Sequence, residues 1–212
     1  MQINKTVIIT CAGIGSRLGL GTAKALISIC GKTLIERQLE YFKDVEDVRV
    51  VVGFQAREVM EEVLKYRKDV IFVFNHNYFE TKTGFSFYLG SKNAKEYCIE
   101  CDGDLIVNPG DMQNLLEQEG EWLAYSELNS NNPIFIDLDD AHNKALSFSE
   151  KSGKYEWTGP CCIRKDKIEI GENVYDQIKK VLPLKAIKIR AYDIDTYEDY
   201  RNIMKVVENE QW

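Results

Sequence analysis

Apolar positions in the first half of the chain fall into short β-branched runs separated by stretches of helical spacing. Val7 to Thr10 reads as a buried strand, Val48 to Val52 as a second that is apolar except for Arg49, and Val70 to Phe74 as a third. Between them Leu34, Ile35, Leu39 and Phe42 recur at helical spacing, as do Val59, Met60, Val63 and Leu64 within Ala56 to Tyr66. Asn75 to Gly90 is a polar and aromatic loop running into a short helix, and Tyr97 to Cys101 is a fourth strand. Asn108 before Pro109 gives an N-cap with proline at the first helical position, so a helix is expected to about Glu117. Runs apolar on both faces, alternating with amphipathic helices, predict a parallel sheet covered on both sides and joined by right-handed crossovers.

From Glu121 the pattern changes. Trp122 to Leu128, Ile134 to Leu138 and Ala145 to Phe148 are short strands, with a turn at residues 139–143, and Tyr155 to Ile163 is a further strand broken by Gly159-Pro160. Val174 to Leu182 has helical spacing ended by Pro183, Ala186 to Tyr192 is a last strand, and Thr196 with Asp199 forms a capping-box-like start for a helix reaching about Val207. No linker, repeat or low-complexity segment interrupts the sequence. The fold class expected is therefore α/β: one Rossmann-like domain over 1–212, its mostly parallel sheet flanked by helices and carrying a mixed antiparallel extension in the second half.

Composition narrows the partners. A chain of 212 residues can bury a sizeable core, and its net charge of −7 lacks the basic face that a nucleic-acid binder needs. There is no run of 18 apolar residues and no signal-peptide pattern at the N-terminus, so no membrane insertion and a cytoplasmic location are expected. Cys98-x-x-Cys101 has no second ligand pair, and in a strand its two thiols would point to opposite faces. The six cysteines are expected to be reduced and mostly buried. With only His76 and His142, a His-based zinc site or a Ser-His-Asp mechanism has little material.

The candidate chemistry gathers in VIITCAGIGSRLGLGTAKAL, residues 7–26, where a strand empties into a loop with Gly13, Gly15, Gly19 and Gly21 and two cations, Arg17 and Lys24. Glycines let backbone N–H groups approach an anion, a guanidinium forks onto two phosphate oxygens, and an ammonium acts as a point charge. A Rossmann fingerprint is excluded because Leu18 stands where its third glycine belongs, and a Walker A loop is excluded because Leu26 stands five residues before Gly31-Lys32-Thr33. In open α/β sheets ligands bind beyond the carboxyl ends of the strands, and residues 11–24, 101–104 and 193–195 all follow strands there. One cationic and two acidic loops suit a nucleoside triphosphate with Mg²⁺, for which Asp104 and Asp195 would suffice.

The pattern G-x-G-x-R-L-G-x-G-x-x-K-A-L resembles the signature loop of the nucleotidylyltransferase superfamily, which is GT-A-like, with Ala23 where Pro or His usually precedes the lysine. Gly103-Asp104 matches the step whose aspartate binds the metal, and VVGFQAREV, residues 51–59, looks like the second strand and turn of that family. Asn75-x-x-Tyr78-x-x-Thr81 with Ser86, and Asp193-Ile194-Asp195-Thr196 before Glu198-Asp199, are similar to segments of bacterial choline-phosphate cytidylyltransferases. His76, Lys82, Thr83 and Phe87 replace the usual Pro, Asn, Asn and Leu of that subfamily.

The resemblance implies transfer of CMP from CTP to a small phosphorylated or phosphonylated acceptor, with Mg²⁺ as cofactor and release of pyrophosphate. Arg17 and Lys24 would be the catalytic cations, and Asp104 and Asp195, with Asp193, the metal acids. Ala12, Gly13, Gly15, Ser16, Arg17, Thr81, Thr83, Ser86 and Asp102 would hold the nucleotide. An acceptor wall is expected at Tyr155, Glu156 and Trp157, where an aromatic face beside a carboxylate suits an ammonium group; packing alone is the competing role for Trp157, as for Trp122 and Tyr125. Three alternatives stay open: a sugar-1-phosphate nucleotidylyltransferase using UTP, dTTP or GTP, a D-x-D glycosyltransferase, and a non-catalytic nucleotide-binding module. Oligomeric state and the acceptor's identity are not encoded in any of these motifs.

Overall fold

Alternation in the first strand, β1 (Ile3–Cys11), divides the core in two: Val7, Ile9 and Cys11 point to one face of the sheet, and Ile8 to the other. The structure is a computed structural model that describes residues 3–15, 19, 21–130, 132–210 and 212. After β1 come the short hairpin β2 (Ser28–Ile29) and β3 (Lys32–Thr33), α1 (Leu34–Tyr41), β4 (Val45–Val52), α2 (Ala56–Tyr66), β5 (Ile71–Phe74) and α3 (Thr83–Gly90). Then follow β6 (Tyr97–Asp102), β7 (Leu105–Val107) and α4 (Pro109–Glu117). The second half holds β8 (Trp122–Glu127), β9 (Phe135–Leu138), β10 (Lys144–Ser149), β11 (Tyr155–Arg164), α5 (Val174–Ile178), β12 (Leu184–Lys188), β13 (Ala191–Asp193) and α6 (Tyr197–Glu210).

Among the described residues nine strands form one sheet in the order β5-β4-β1-β6-β11-β8-β12-β10-β9. The first four are parallel, as the β-strand and helix alternation predicts. β11 then runs antiparallel to both β6 and β8, which starts the mixed extension. Helices α1, α2 and α4 cover one face through Ile35, Leu39, Val59, Val63, Met112 and Leu115, while α3 and α5 cover the other through Phe87, Val174 and Ile178. A third cluster seats α6 on the hairpin and β7 through Ile29, Ile106, Ile194, Ile203 and Val207. Cys98 and Cys101 fall in opposite clusters, which removes any paired role for them. Five cysteines are buried and all six are free; Cys30 is exposed in the turn of the hairpin. No helix among the described residues is long and apolar enough to cross a membrane.

Close packing of α3 on the sheet depends on Gly90, where a Cβ would lie 2.4 Å from Ile8 Cγ2 and 3.2 Å from Val51 Cγ2. Gly90→Ala is therefore expected to destabilise the fold by about 1–3 kcal/mol despite alanine's better helix propensity, because both neighbours belong to a fully packed layer. Urea unfolding of the two proteins measures the difference, and a gain in stability would show that α3 can shift outward at little cost.

Three elements depart from the sequence reading. Gly159-Pro160 does not end a strand: β11 continues through a register shift between Trp157 and Cys161, with Gly159 at φ 102°. The expected strand over 186–192 is two strands in different sheets, β12 beside β8 and β13 beside β7. The helix from Val174 is α-helical only to Ile178 and ends in a 3₁₀ turn over Lys179–Val181.

Candidate active site

Parallel pairing of β1 with β6 sets Thr10 opposite Asp102 and Ile8 opposite Glu100, so both acids share a face with Thr10 at the carboxyl end of the sheet. The Thr10 hydroxyl lies 3.0 Å from Glu100 Oε1 and 3.1 Å from Asp102 Oδ1. It has one proton to donate, and the other oxygen of Glu100 is buried with no partner. Burial first, and then the charge of Asp102, pushes the Glu100 carboxyl well above its usual range. Burial and Asp104 likewise raise Asp102 to about 7.

The turn after β6 brings the next acid over the site. A Cβ on Gly103 would lie 2.6 Å from Cys11 Sγ and 2.8 Å from the Thr10 carbonyl oxygen, so only glycine lets this turn press against the end of β1. The buried side chain of Gln38 in α1 closes the turn from beneath, its Nε2 donating to the carbonyls of Asp102 at 2.6 Å and Leu105 at 3.1 Å. β7 then pairs antiparallel with β13 in the register Asp193 to Leu105, and the Ile194 N–H donates to the Asp104 carbonyl at 3.3 Å. That pairing is what carries the late acids 193 and 195 to Asp104. Immediately afterwards Thr196 and Asp199 exchange the reciprocal hydrogen bonds of a capping box and start α6.

Lys24 joins the two acidic loops. Its Nζ donates to Asp104 Oδ2 at 2.6 Å and to Asp195 Oδ1 at 2.5 Å. Burial alone would lower the pKa of this amine, but Asp104 and Asp195 together outweigh it and hold the ammonium charged. Its stem runs beside Gly15, where φ is 64° and a Cβ would lie 2.8 Å from Lys24 Cγ. Asp193 is desolvated beside Asp104, Asp102 and Asp195, which raises its carboxyl well above the usual range. Thr10, Gly13, Gly15, Lys24, Thr83, Asp102, Asp104, Asp193 and Asp195 line one cavity of about 360 Å³.

Two further rooms adjoin it. One, of about 310 Å³, is lined by Ala12, Gly13, Thr81, Lys82, Thr83 and Ser86 among others. Buried Asn75 organises its wall, donating to Thr81 Oγ1 at 2.9 Å and to Ser86 Oγ at 3.1 Å. The other, of about 370 Å³, shares Asp102, Asp193 and Asp195 with the central cavity and extends past Asn129, Ser130, Trp157, Tyr192, Asp199 and Asn202. Of the expected acceptor wall, Trp157 alone lines this room. Glu156 is buried and acts one step back, accepting from the Asn129 N–H at 2.9 Å and the Ser130 hydroxyl at 2.6 Å. Tyr155 stands at the start of β11, its ring 5.3 Å from both Tyr125 and His142 in T-shaped contacts. Trp122 is fully buried core. Ser16 and Arg17 lie outside the described residues.

Sequence reading missed Thr10, Gln38, Glu100, Asn129, Tyr192 and Asn202. A readable signal existed for Glu100, a carboxylate inside the otherwise apolar strand YCIEC. None existed for Gln38, which lies on the buried face of an ordinary amphipathic helix.

The model of the MobA-like NTP transferase domain matches residues 7–158, which include the second half of β1, the glycine loop, the 102–104 turn and Trp157. The chain belongs to this family. It is thereby a nucleotidyltransferase. It is 28% identical over 231 aligned positions to the choline-phosphate cytidylyltransferase of Streptococcus pneumoniae, covering 96% of this chain and 98% of the relative. The Haemophilus influenzae choline-phosphate cytidylyltransferase is 27% identical over 172 positions, 73% of this chain and 70% of that one. Among solved structures, that of the CTP:phosphocholine cytidylyltransferase LicC from S. pneumoniae superposes with a TM-score of 0.79 at 22% identity, over 95% of this chain and 98% of LicC. The inositol-1-phosphate CTP transferase of T. maritima gives 0.77 at 19% identity, over 97% of both chains. Both superpositions include the mixed half of the sheet as well as the parallel half, so this NTP transferase has the fold of those enzymes throughout.

Proposed function

We propose that this NTP transferase moves CMP from CTP to the phosphate or phosphonate oxygen of a small acceptor and releases pyrophosphate. The observation that carries the transfer chemistry is Lys24 held between Asp104 and Asp195 where the β1, β6 and β13 loops meet. The choice of CTP is supported by the cytidylyltransferases to which the chain is similar along its length.

The donor set suits a hard divalent cation. Four carboxylates, Asp102, Asp104, Asp193 and Asp195, face one cavity, and Lys24 is the one cation among its described lining residues. No group of three or more acids, cysteines or histidines among the described residues is placed to hold a metal by itself. Magnesium needs only one or two carboxylates and takes its other ligands from phosphate and water. Asp104 and Asp195, with Asp193 beside them, would hold it. When bound, it would neutralise phosphate charge as the reaction proceeds.

The chain's own groups would do the rest. The amides of the glycine loop and Arg17 hold the β- and γ-phosphates, and the room beside Asn75 takes the base and ribose through Thr81, Thr83 and Ser86. The acceptor lies in the room of Trp157, its phosphate directed toward Lys24. An acceptor oxygen attacks the α-phosphorus, the bond to the β-phosphate's bridging oxygen breaks opposite it, and pyrophosphate leaves with that electron pair. An ionised acceptor phosphate needs no general base, so the rate comes from positioning and fixed charge.

Pyrophosphate release is measured with each of CTP, UTP, dTTP, GTP and ATP against phosphocholine, phosphoethanolamine, aminoethylphosphonate and several sugar-1-phosphates. Release dependent on CTP and an amino-alcohol phosphate or aminophosphonate is the expected result. Release confined to a sugar-1-phosphate with another NTP would overturn the acceptor and base assignments, and no release with any pair would overturn transfer itself. Trp157 with Tyr192 and the nearby acids suits a cationic acceptor head, a cation–π contact being worth about 0.5–2 kcal/mol. Trp157→Ala is accordingly expected to raise the acceptor KM several-fold and leave the CTP KM unchanged. An altered melting temperature with unchanged acceptor KM would mark Trp157 as packing against Phe148 and Tyr175 only.

A further inference from the structure

The glycine loop leaves β1 at Ala12 and ends at Ala23, before the 3₁₀ turn Lys24–Leu26, and one short turn touches both of its ends. That turn is 53–55, between β4 and α2. The Phe54 N–H donates to the Ala12 carbonyl at 3.0 Å on the outgoing arm. On the returning arm Gln55 Oε1 accepts from the Ala23 N–H at 2.7 Å, and Gln55 Nε2 lies 3.4 Å from the Gly21 carbonyl. Gly53 permits the approach, since a Cβ there would lie 2.9 Å from the Ala12 carbonyl oxygen and 2.8 Å from Tyr78 Cβ.

Gln55 makes these bonds from an unfavourable backbone. Its φ is 48° and its ψ 41°, the left-handed region, and its side chain does not cap α2 although the residue stands at the N-cap. Asparagine or glycine would fit that backbone better, but an asparagine amide is one methylene too short to reach Ala23 from the same place. Ala23 immediately precedes Lys24, so the bond to its N–H fixes the origin of the side chain that spans Asp104 and Asp195.

We propose that Gln55 is a positioning residue: its side-chain amide clasps the returning arm of the glycine loop and sets Lys24 at the reacting phosphates. The inference rests on the transferase reading for its kinetic consequence and on geometry alone for the clasp. Without the clasp, the ammonium still forms but is spread over more positions, so productive alignment falls.

Three variants of the full-length protein test this: Gln55→Asn, Gln55→Gly and Gln55→Glu. Hydrogen exchange of the Ala23 amide is read without any ligand, alongside melting temperature and steady-state kinetics. Gln55→Asn and Gln55→Gly are expected to melt at or above the wild-type temperature and to exchange the Ala23 amide roughly 3- to 10-fold faster. Their kcat/KM for the nucleotide should fall by about 10-fold. Gln55→Glu keeps an acceptor for the Ala23 N–H and should restore slow exchange and most of the turnover. Unchanged Ala23 exchange in Gln55→Asn overturns the clasp whatever the kinetics, and kcat/KM that simply follows melting temperature across the three variants overturns the positioning role. A wild type that exchanges slowly and turns nothing over would count against the transferase reading while leaving the clasp supported.

Discussion

Replacing Lys24 with methionine is expected to lower kcat at least ~10²-fold, the scale for losing one preorganised electrostatic contact in an active site. Methionine is the informative choice because the stem of Lys24 packs against Gly15, and an unbranched side chain keeps that contact while removing the charge. What is lost is the ammonium shared by Asp104 and Asp195, which are 24% and 29% exposed. Two partly desolvated carboxylates would then face each other without their counter-charge, so the ligand-free variant should also melt lower. Lys24→Arg should not rescue the rate, because a planar fork cannot occupy the place of a compact ammonium between two acids 2.6 Å and 2.5 Å away. Single-turnover measurement with saturating substrates separates the rate effect from binding. Near-normal turnover in Lys24→Met would remove this residue from the chemistry.

Asp104→Asn is expected to have an effect of similar size, at least ~10²-fold in kcat, and for a different reason. Asparagine preserves the shape of the turn that Gln38 and Gly103 hold, so the fold should persist. The loss is a charged oxygen ligand. If Asp104 and Asp195 hold Mg²⁺, chelation by EDTA abolishes wild-type turnover and added Mg²⁺ restores it, while Asp104→Asn needs a much higher Mg²⁺ concentration for half of its own maximal rate. A variant with the wild-type Mg²⁺ requirement would place the ion elsewhere. Asp102 serves as the contrast, since it borders the same cavity but is tied to Thr10 on β1.

Much of this arrangement is legible in the amino-acid sequence. The β-branched runs and helical spacings of the first 120 residues yield the parallel strands, with β1, β4 and β6 largely buried on both faces and β5 at the sheet edge leaving Ile71 and Phe74 exposed, and the strand-end rule for open sheets brings the turns after β1 and β6 together. What pattern alone does not supply is the device that unites the two acidic loops. β7 and β13 have three residues each, too few for a period to register, and no glycine or proline marks the break between β12 and β13. The chain turns there through hydrogen bonds that only the tertiary fold defines, from the Ile189 N–H to the Tyr125 carbonyl and from the Asn108 N–H to the Arg190 carbonyl.

The acceptor wall shows the same division between local pattern and tertiary placement. Trp157, Glu156 and Tyr155 are consecutive, yet one borders a cavity, one fastens a loop of that cavity, and one packs away from it. Strand alternation turns Glu156 to the opposite face from its neighbours, and the register shift after Trp157 bends β11 beside Gly159. Glu156 matters because two hydrogen bonds from Asn129 and Ser130 end on it. An acceptor wall expected at three adjacent residues therefore resolves into three distinct physical roles.

The central claim is that a nucleotidyl group passes from CTP to an acceptor phosphorus-oxygen group with pyrophosphate as the other product. Phosphorus NMR of one reaction mixture, containing CTP, Mg²⁺ and the acceptor that the pyrophosphate screen selects, follows every phosphorus atom at once. Equal amounts of pyrophosphate and of a new cytidylyl-acceptor adduct, with its two coupled phosphorus signals, are the result expected. CTP consumed to CDP and inorganic phosphate, or pyrophosphate formed with CMP and no adduct, would contradict it.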